Sequence, residues 1–267
     1  MSFDIDALRA LRRSSRLGAR IDFYEETDST NTRLREAGRS GAAEGLVAIA
    51  EQQSAGRGRL GRSWASPPGR NLYMSVLLRP PVALEMVPQL TLVAGLATAE
   101  TAREWVPQAQ IKWPNDVWVA GRKVAGILTE MEASGSQVGF VVTGIGVNLN
   151  LRADELPPEL RAIAGGLIQF LPLGSEPIAR DRFADRLLAN LERRYLDFLS
   201  GGFAAIRNAW DDLSLLTGRQ VRIDAGGELQ QGEVLGIDAE GRLRLRHAAG
   251  ETRVVAGDVT VLGTTEP

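Results

Sequence analysis

The chain has no cysteine and a single histidine, His247, in 267 residues. The first absence excludes disulfides, thiolate catalysis and cysteine metal sites. The second excludes a histidine-rich metal centre and leaves one residue for any Ser-His-Asp triad, so no metal site is expected. Nor is there a run of about 18 apolar residues, the length a membrane-spanning helix requires. Charge of neither sign predominates: 31 Lys and Arg stand against 33 Asp and Glu, a net of −2. No global field draws such a chain to nucleic acid or to an anionic membrane, and any anion site must be local. The start, Met-Ser-Phe-Asp-Ile-Asp, carries acids where a signal peptide has a basic segment. With cysteine absent, a cytoplasmic location is expected. The remaining composition, 44% hydrophobic and 24% charged, is that of a globular core with room for a second small domain.

What is present is concentrated in a few short stretches. Residues 53–62, Gln-Ser-Ala-Gly-Arg-Gly-Arg-Leu-Gly-Arg, place three glycines and three arginines within seven residues. Glycine lets a ligand approach the main chain, and arginine brings a permanent charge with a forked donor suited to carboxylate and phosphate. Two readings fit: a loop that closes over an anion, and a solvated basic loop of RGG type. It is not a Walker A loop, since no Gly-Lys-Ser/Thr ends it. Upstream, Thr27-Asp-Ser-Thr-Asn31 follows a strand (Ile21–Glu25) and opens a polar helix to about Ala37, with Asp28 or Ser29 as N-cap and Gly38 as C-cap. Five successive hydrogen-bonding side chains exceed what one cap needs, and a helix N-terminus offers free N–H groups to a polar ligand.

Lys112-Trp-Pro-Asn-Asp116 gathers a cation, an aromatic, an amide and a carboxylate in five residues at a strand end. Asp116 there has three candidate uses: holding Mg²⁺ through water, orienting Lys112, or accepting from an incoming amine. The strand Lys123–Met131 and its partner Val138–Val147 form a hairpin with glycines inside both strands, at Gly126, Gly144 and Gly146. These suit either a bare floor for a ring-shaped ligand or β-bulges. Leu46–Glu51 and Asn71–Leu78 read as further strands, Val87–Trp105 as a core helix, and Ile178–Leu199 as the clearest amphipathic helix. A helix over about 204–215 follows. Trp64 is either a stacking platform or a buried aromatic. Residues 1–19, with Arg9, Arg12, Arg13 and Arg16, read as a solvated leader helix lined by Leu8, Leu11 and Leu17, with contact to nucleic acid as the alternative. From about Thr217 short alternating strands (Val221–Ile223, Leu229–Ile237, Arg242–Arg246, Thr252–Val255) indicate a small β-barrel of roughly 45 residues, near the lower limit for independent stability. Arg242, Arg244 and Arg246 share one of its faces, as an RNA contact or as the wet side of a strand.

Taken in order, Asp28-Ser-Thr-Asn31, residues 53–62, Lys112–Asp116, Lys123-Val-Ala-Gly-Ile-Leu-Thr-Glu130 and Gly144-Ile-Gly-Val-Asn148 resemble the bacterial biotin protein ligases, which biotinylate the carrier domain of acetyl-CoA carboxylase. The likeness runs from residue 20 to about 263. It implies an α+β fold: a mixed β-sheet backed by helices, related to class II tRNA-synthetase cores, then an SH3-like β-barrel. The implied division is a leader (1–19), a biotin- and ATP-binding catalytic domain (20–215) and a C-terminal domain (216–267).

The resemblance further implies an ATP-dependent ligase that forms biotinyl-5′-AMP, with Mg²⁺ accompanying ATP, and passes biotin to a lysine of the biotin carboxyl carrier protein. Ser29, Thr30, Asn31 and Gln53 would bind the ureido end of biotin, and Arg57, Gly58 and Arg59 would order over biotin and adenylate. Arg59, Lys123 and Asp116 would act at the reacting groups. Lys112, Trp64, Asn115, Asn148 and Arg180 join Arg57 and Arg59 on the nucleotide side. Leu60 stands where some relatives carry another cation, a departure bearing on loop closure. Some relatives carry an N-terminal winged helix that represses transcription; this chain begins almost at the catalytic domain, so neither DNA binding nor repression is expected. It should act as a monomer or a homodimer. Two other classes compete: a biotin or nucleotide sensor, which loss of Lys123, Arg59 or Gln53 would mark, and a nucleic-acid-binding protein, which the net charge disfavours. A lipoyl ligase would carry an Arg-Arg-x-Ser-Gly-Gly-Gly run, which is missing.

Overall fold

The computed structural model describes residues 3–13, 15–156 and 158–263. The expected leader and C-terminal domain therefore lie in part, at residues 1, 2, 14 and 264–267, outside the described residues. After a short helix α1 (Ile5–Arg12), the chain builds β1 (Ile21–Thr27), α2 (Thr30–Arg39), β2 (Val47–Gln53), β3 (Leu72–Leu78), α3 (Val87–Arg103), β4 (Gln110–Lys112), β5 (Asp116–Val119), β6 (Arg122–Ser134) and β7 (Gln137–Val147). These strands form one seven-stranded sheet in the order β1-β2-β3-β7-β6-β5-β4. Only β1 and β2 run parallel, so the sheet is mixed. Two helices follow, α4 (Arg180–Gly201) and α5 (Ala204–Asp212). The chain ends in β8 (Gln220–Ala225), β9 (Glu228–Ile237), β10 (Leu243–His247), β11 (Gly250–Val254) and β12 (Asp258–Val261). These make a five-stranded antiparallel sheet ordered β11-β10-β9-β8-β12. The last strand is too short, at four residues, to show an alternation in sequence.

The two faces of the large sheet are covered unequally. Side chains alternate along each strand. Val141, Ile145 and Val147 of β7 turn toward the core that α3 and α4 complete. Phe140 and Val142 turn the other way and join Leu34, Leu46 and Leu77 under α2. That second face has only the ten-residue α2 to cover it, and beyond its N-terminus the strands carry Gly126, Gly144 and Gly146.

The small sheet is not an independent core. Val221, Ile223, Val234, Leu243 and Leu245 belong to the same buried cluster as the α3/α4 layer. Trp113 Nε1 donates to the Gly241 carbonyl at 3.1 Å, buried between the two sheets. Continuity of burial resolves how so few residues hold a barrel-like sheet.

Three sequence expectations change. Gly38 is inside α2 rather than beyond it, because the Phe140 ring packs where a side chain would start, 2.7 Å from an added Cβ. Ser29 occupies the N-cap position without a capping side-chain bond; Gln53 Oε1 accepts from the Thr30 N–H instead, at 2.9 Å. The leader is docked on one side and solvated on the other. Leu8 and Leu17 are buried while Leu11 is exposed. The Arg12 guanidinium is buried, donating to the Leu17 carbonyl and to Glu192 Oε2, both at 3.0 Å. Arg9 donates to the Ile21 carbonyl at 2.9 Å, and Arg16 Nε to Glu44 at 2.8 Å.

Glu44 ties these layers together. Its carboxylate accepts from the Arg79 N–H at 2.8 Å, from Tyr195 Oη at 2.9 Å and from Arg16. Burial works to raise its pKa, but the hydrogen bonds outweigh burial and hold the carboxyl below its usual range. A depressed folded-state pKa stabilises the fold above the unfolded value of about 4.3, and the contribution is lost as pH falls through the folded value. Glu44→Gln should therefore lower the melting temperature near neutral pH, with the gap to wild type closing below about pH 4. Thermal melts across that range check it, and a gap independent of pH would contradict the account.

Candidate active site

The first cavity lies on the uncovered sheet face, at the N-terminus of α2. Gly126 and Gly146 are direct partners across β6 and β7, and Gly144 pairs with Leu128. None is at a register shift of the ladder, so the bulge reading does not hold. They are bare because other groups lie on them. An added Cβ would come within 2.6 Å of the Trp64 indole at Gly146 and 2.9 Å at Gly126. At Gly144 it would collide with Asn31 Oδ1. The floor is thus roofed by Trp64, whose Nε1 is buried with no hydrogen-bond partner. The space left is about 60 Å³, against roughly 300–1,000 Å³ for typical small-molecule sites. The indole fills the space directly above Gly126 and Gly146.

The walls of this cavity are a closed hydrogen-bond chain. Gln53 Oε1 accepts from Thr30 N–H and Oγ1, while its Nε2 donates to Ser66 Oγ at 2.9 Å. Ser75 Oγ lies 2.7 Å from Thr30 Oγ1 and 2.6 Å from Asn31 Oδ1. Asn31 Nδ2 donates to the Leu128 carbonyl at 3.2 Å and to Glu130 Oε2 at 2.8 Å. Ser29, Thr30 and Asn31 are all buried. Tyr73 closes the inner end; burial pushes its phenol above the ordinary value, so it stays protonated.

The Gly/Arg loop forms a small hairpin beside the cavity. Gly58 N–H donates to the Arg62 carbonyl at 2.7 Å, Trp64 N–H donates to the Gly56 carbonyl at 2.9 Å, and Arg57 bridges Ser63. The tip is Leu60, exposed and left-handed at φ 55°, followed by Gly61 at φ 75°. Each arginine has a partner from a different element. Arg57 meets Glu130 Oε2 at 3.0 Å, Arg59 donates to Asn115 Oδ1 at 2.9 Å, and Arg62 pairs with Asp258 at the start of β12.

A second, larger cleft of about 410 Å³ opens on the far side of the loop, between the two sheets. Lys112, Arg62 and Lys123 supply charge, and Trp113 and Trp118 supply apolar walls. Lys123 Nζ is 2.7 Å from Asp116 Oδ1 and 5.4 Å from the Trp64 ring. Asp116 thus meets Lys123, and it is also the direct ladder partner of Lys112, whose ammonium lies 4.1 Å from the Trp118 ring. Among the described residues no group of three or more metal-ligating side chains gathers.

The structure therefore brings Ser29, Thr30, Asn31, Gln53, Arg57 and Gly58 to the first cavity, and Lys112, Asp116 and Asn148 to the cleft. Arg59, Trp64, Asn115 and Lys123 line both. Arg180 lines neither: it is buried beside the Phe3 ring, with Nη1 3.0 Å from Glu51 Oε1. A buried guanidinium needs a carboxylate partner, and Glu51 is that partner. His247 lies on the small sheet, against the Gln231 carbonyl and Thr252. Sequence reasoning missed Glu130, Ser75 and Asp258. The only trace of Ser75 was a hydroxyl within an apolar strand, and Asp258 left none.

A cavity floored by glycine and walled by amide and hydroxyl groups, beside a cation-lined cleft that shares Arg59, Trp64, Asn115 and Lys123 with it, has the make-up of an enzyme site that handles small anions. Residues 23–148 match the model of the biotin/lipoate A/B protein ligase family, and residues 216–262 match the biotin protein ligase C-terminal domain. The chain is 37% identical over 250 residues to the biotin–[acetyl-CoA-carboxylase] ligase of Mycobacterium tuberculosis, covering 91% of this chain and 89% of that one. It is 36% identical over 244 residues to the bifunctional ligase/repressor BirA of Bacillus subtilis, covering 91% and 74%. A solved biotin protein ligase from Aquifex aeolicus, in complex with biotin and ATP, superposes with a TM-score of 0.77 at 28% identity, over 91% of this chain and 98% of that one. The chain belongs to the biotin protein ligase family.

Gly144→Ala tests the floor directly, because Asn31 is fixed by three bonds and cannot withdraw. It should lower stability by about 1–3 kcal/mol, the scale of overpacking, as measured by denaturant titration. An unshifted midpoint would show that Asn31 is free to move.

Proposed function

We propose that this chain activates biotin with ATP and transfers it to a lysine of the biotin carboxyl carrier protein of acetyl-CoA carboxylase. The observation that carries this reading is that Arg59, Trp64, Asn115 and Lys123 line both the glycine-floored cavity and the cleft. A carboxylate in one and an α-phosphate in the other would meet beside two cations. The biotin carboxylate attacks the α-phosphorus, the bond to pyrophosphate breaks, and biotinyl-5′-AMP forms. The carrier lysine's amine then attacks the acyl carbon, AMP leaves, and the amine gives up a proton. Such transfers depend on positioning and charge neutralisation, and require no protein nucleophile.

Ser29, Thr30 and Gln53 face the ureido end, where hydroxyl and amide groups can both donate and accept. Asn31 fixes that wall, with its amide donors taken by Leu128 and Glu130. Arg59 and Lys123 neutralise charge at the carboxylate and phosphate, and Asp116 holds Lys123 there in the resting geometry. Asp116 is also the carboxylate placed to take a proton from the incoming amine. Arg57 and Gly58 close the loop over the ligand. Lys112, Trp64, Asn115 and Asn148 serve the nucleotide, with Mg²⁺ arriving on its phosphates as part of the substrate. Arg180 acts at a distance, by holding Glu51, whose Oε1 accepts from the Gly69 N–H at 2.6 Å.

We divide the chain into a catalytic part to residue 215 and a C-terminal part from 216. DNA binding is not part of the reading: Arg9, Arg12 and Arg16 are engaged within the fold. Arg242, Arg244 and Arg246 are paired with Asp238, Glu251 and Glu233. No helix among the described residues is long and apolar enough to cross a membrane; a cytoplasmic location, with its supply of ATP, is part of the proposal.

Incubation with biotin, ATP and Mg²⁺, followed by mass spectrometry, should yield biotinyl-5′-AMP and pyrophosphate, and a +biotin adduct when a carrier domain is added. Biotin binding without adenylate would replace the ligase with a sensor. Lys123→Ala and Arg59→Ala should each slow adenylate formation by at least about tenfold, the scale of one charge-assisted contact. Unchanged rates would remove both from the reacting centre.

A further inference from the structure

We propose that Glu130 is a positioning residue that registers the Gly/Arg loop over the first cavity. The proposal deepens the reading above and rests on it only for its kinetic arm. Glu130 sits on β6 beyond Leu128, on the strand face that carries the cavity floor, and its side chain is 22% exposed. One oxygen, Oε2, accepts from two places at once: Asn31 Nδ2 at 2.8 Å and Arg57 Nη2 at 3.0 Å. The other, Oε1, meets Arg35 Nη1 at 3.5 Å on α2. A single carboxylate therefore joins the cavity wall, the loop and the helix above it.

The geometry gives this carboxylate a directional task. Asn31 Oδ1 is already committed to Ser75 Oγ. With Nδ2 pointed at Glu130 and Leu128, the amide has one orientation, and the carboxylate that sets it also receives Arg57. Wall and loop are thereby referred to the same atom. Arg57 has one further contact, with Thr32 Oγ1 at 3.5 Å, the outer limit of a hydrogen bond. Without Glu130 the near arm of the loop keeps its backbone hairpin but loses its charged tether to the sheet. The far arm remains held by Arg59 on Asn115 and Arg62 on Asp258. Glu130 touches neither Lys123 nor Asp116, so its loss should act on ligand retention rather than on the chemical step.

The test uses the full chain and two readouts. The first needs no ligand: trypsin cleavage of the exposed Arg59–Leu60 bond, followed by mass spectrometry. Glu130→Ala should speed that cut by about tenfold or more, the scale of a lost charge-assisted bond, and Glu130→Gln, which retains an acceptor, by less than about threefold. Arg57→Ala should match Glu130→Ala, and the double variant should cut no faster than either single one. The second is kinetic: Glu130→Ala should raise KM for biotin by about tenfold, with KM for ATP and kcat unchanged. An unchanged cleavage rate, or additive effects of the two substitutions, would overturn the proposal, as would an equal fall in kcat and in kcat/KM. If Glu130→Ala does not fold, the comparison of Glu130→Gln with Arg57→Ala decides by the same readouts. Absence of adenylate with the wild-type protein would overturn the functional reading alone and leave the cleavage test standing.

Discussion

A stretch of sheet without side chains cannot be closed by packing, and the rest of this molecule is arranged around that constraint. Gly126, Gly144 and Gly146 expose backbone on the face that α2 only half covers. What fills the space is borrowed from elsewhere: the amide of Asn31, fixed from three sides, and the indole of Trp64, which has no polar partner there. One occupant is fixed by hydrogen bonds, and the other packs by its ring face, beneath the Lys123 ammonium. This asymmetry follows from which neighbours had donors and acceptors to spare.

The chemistry is distributed in the same way. The site holds no metal-ligating cluster among the described residues. Its cations have carboxylate or amide partners: Lys123 with Asp116, Arg59 with Asn115, Arg57 with Glu130. Lys123 and Arg59 are pre-positioned, so a carboxylate or phosphate that reached them would exchange one partner for another instead of ordering a free side chain, which would limit the entropic cost of binding. Arg180 illustrates the opposite case. It is buried beside Glu51 and lines neither cavity.

Much of the architecture was legible in the sequence. The long amphipathic periodicity of 178–199 corresponds to α4 (Arg180–Gly201), and the interrupted apolar runs became β6 and β7. The five quoted stretches do converge around two joined cavities. What was not legible is whatever depends on partners far along the chain. Gly38 has the look of a helix stop until Phe140, about a hundred residues on, is seen against it. Arg12 reads as solvated until Glu192 is placed beside it. The sheet edges, β1 and β4, are fixed by strand order, which local periodicity does not encode. Glu130 was visible as the last letter of a run, but its task is set by Asn31 and Arg57, which are nowhere near it in sequence.

The contacts between the two sheets carry a consequence for how such a chain can be cut and recombined. Arg62 of the loop reaches Asp258, and Trp113 reaches the backbone of Gly241. The C-terminal sheet is therefore part of the wall of the larger cleft, and its hydrophobic residues share one core with the preceding part of the chain. A shortened chain ending after α5 would expose apolar surface and lose one side of the cleft together. Exchange of this sheet between homologues would be constrained at the seam, where an acid must face the loop and a free carbonyl must face the indole. Inheritance of the two parts is expected to be joint, with drift concentrated on the exposed edge strand β11, where Glu251 already finds Arg244 locally.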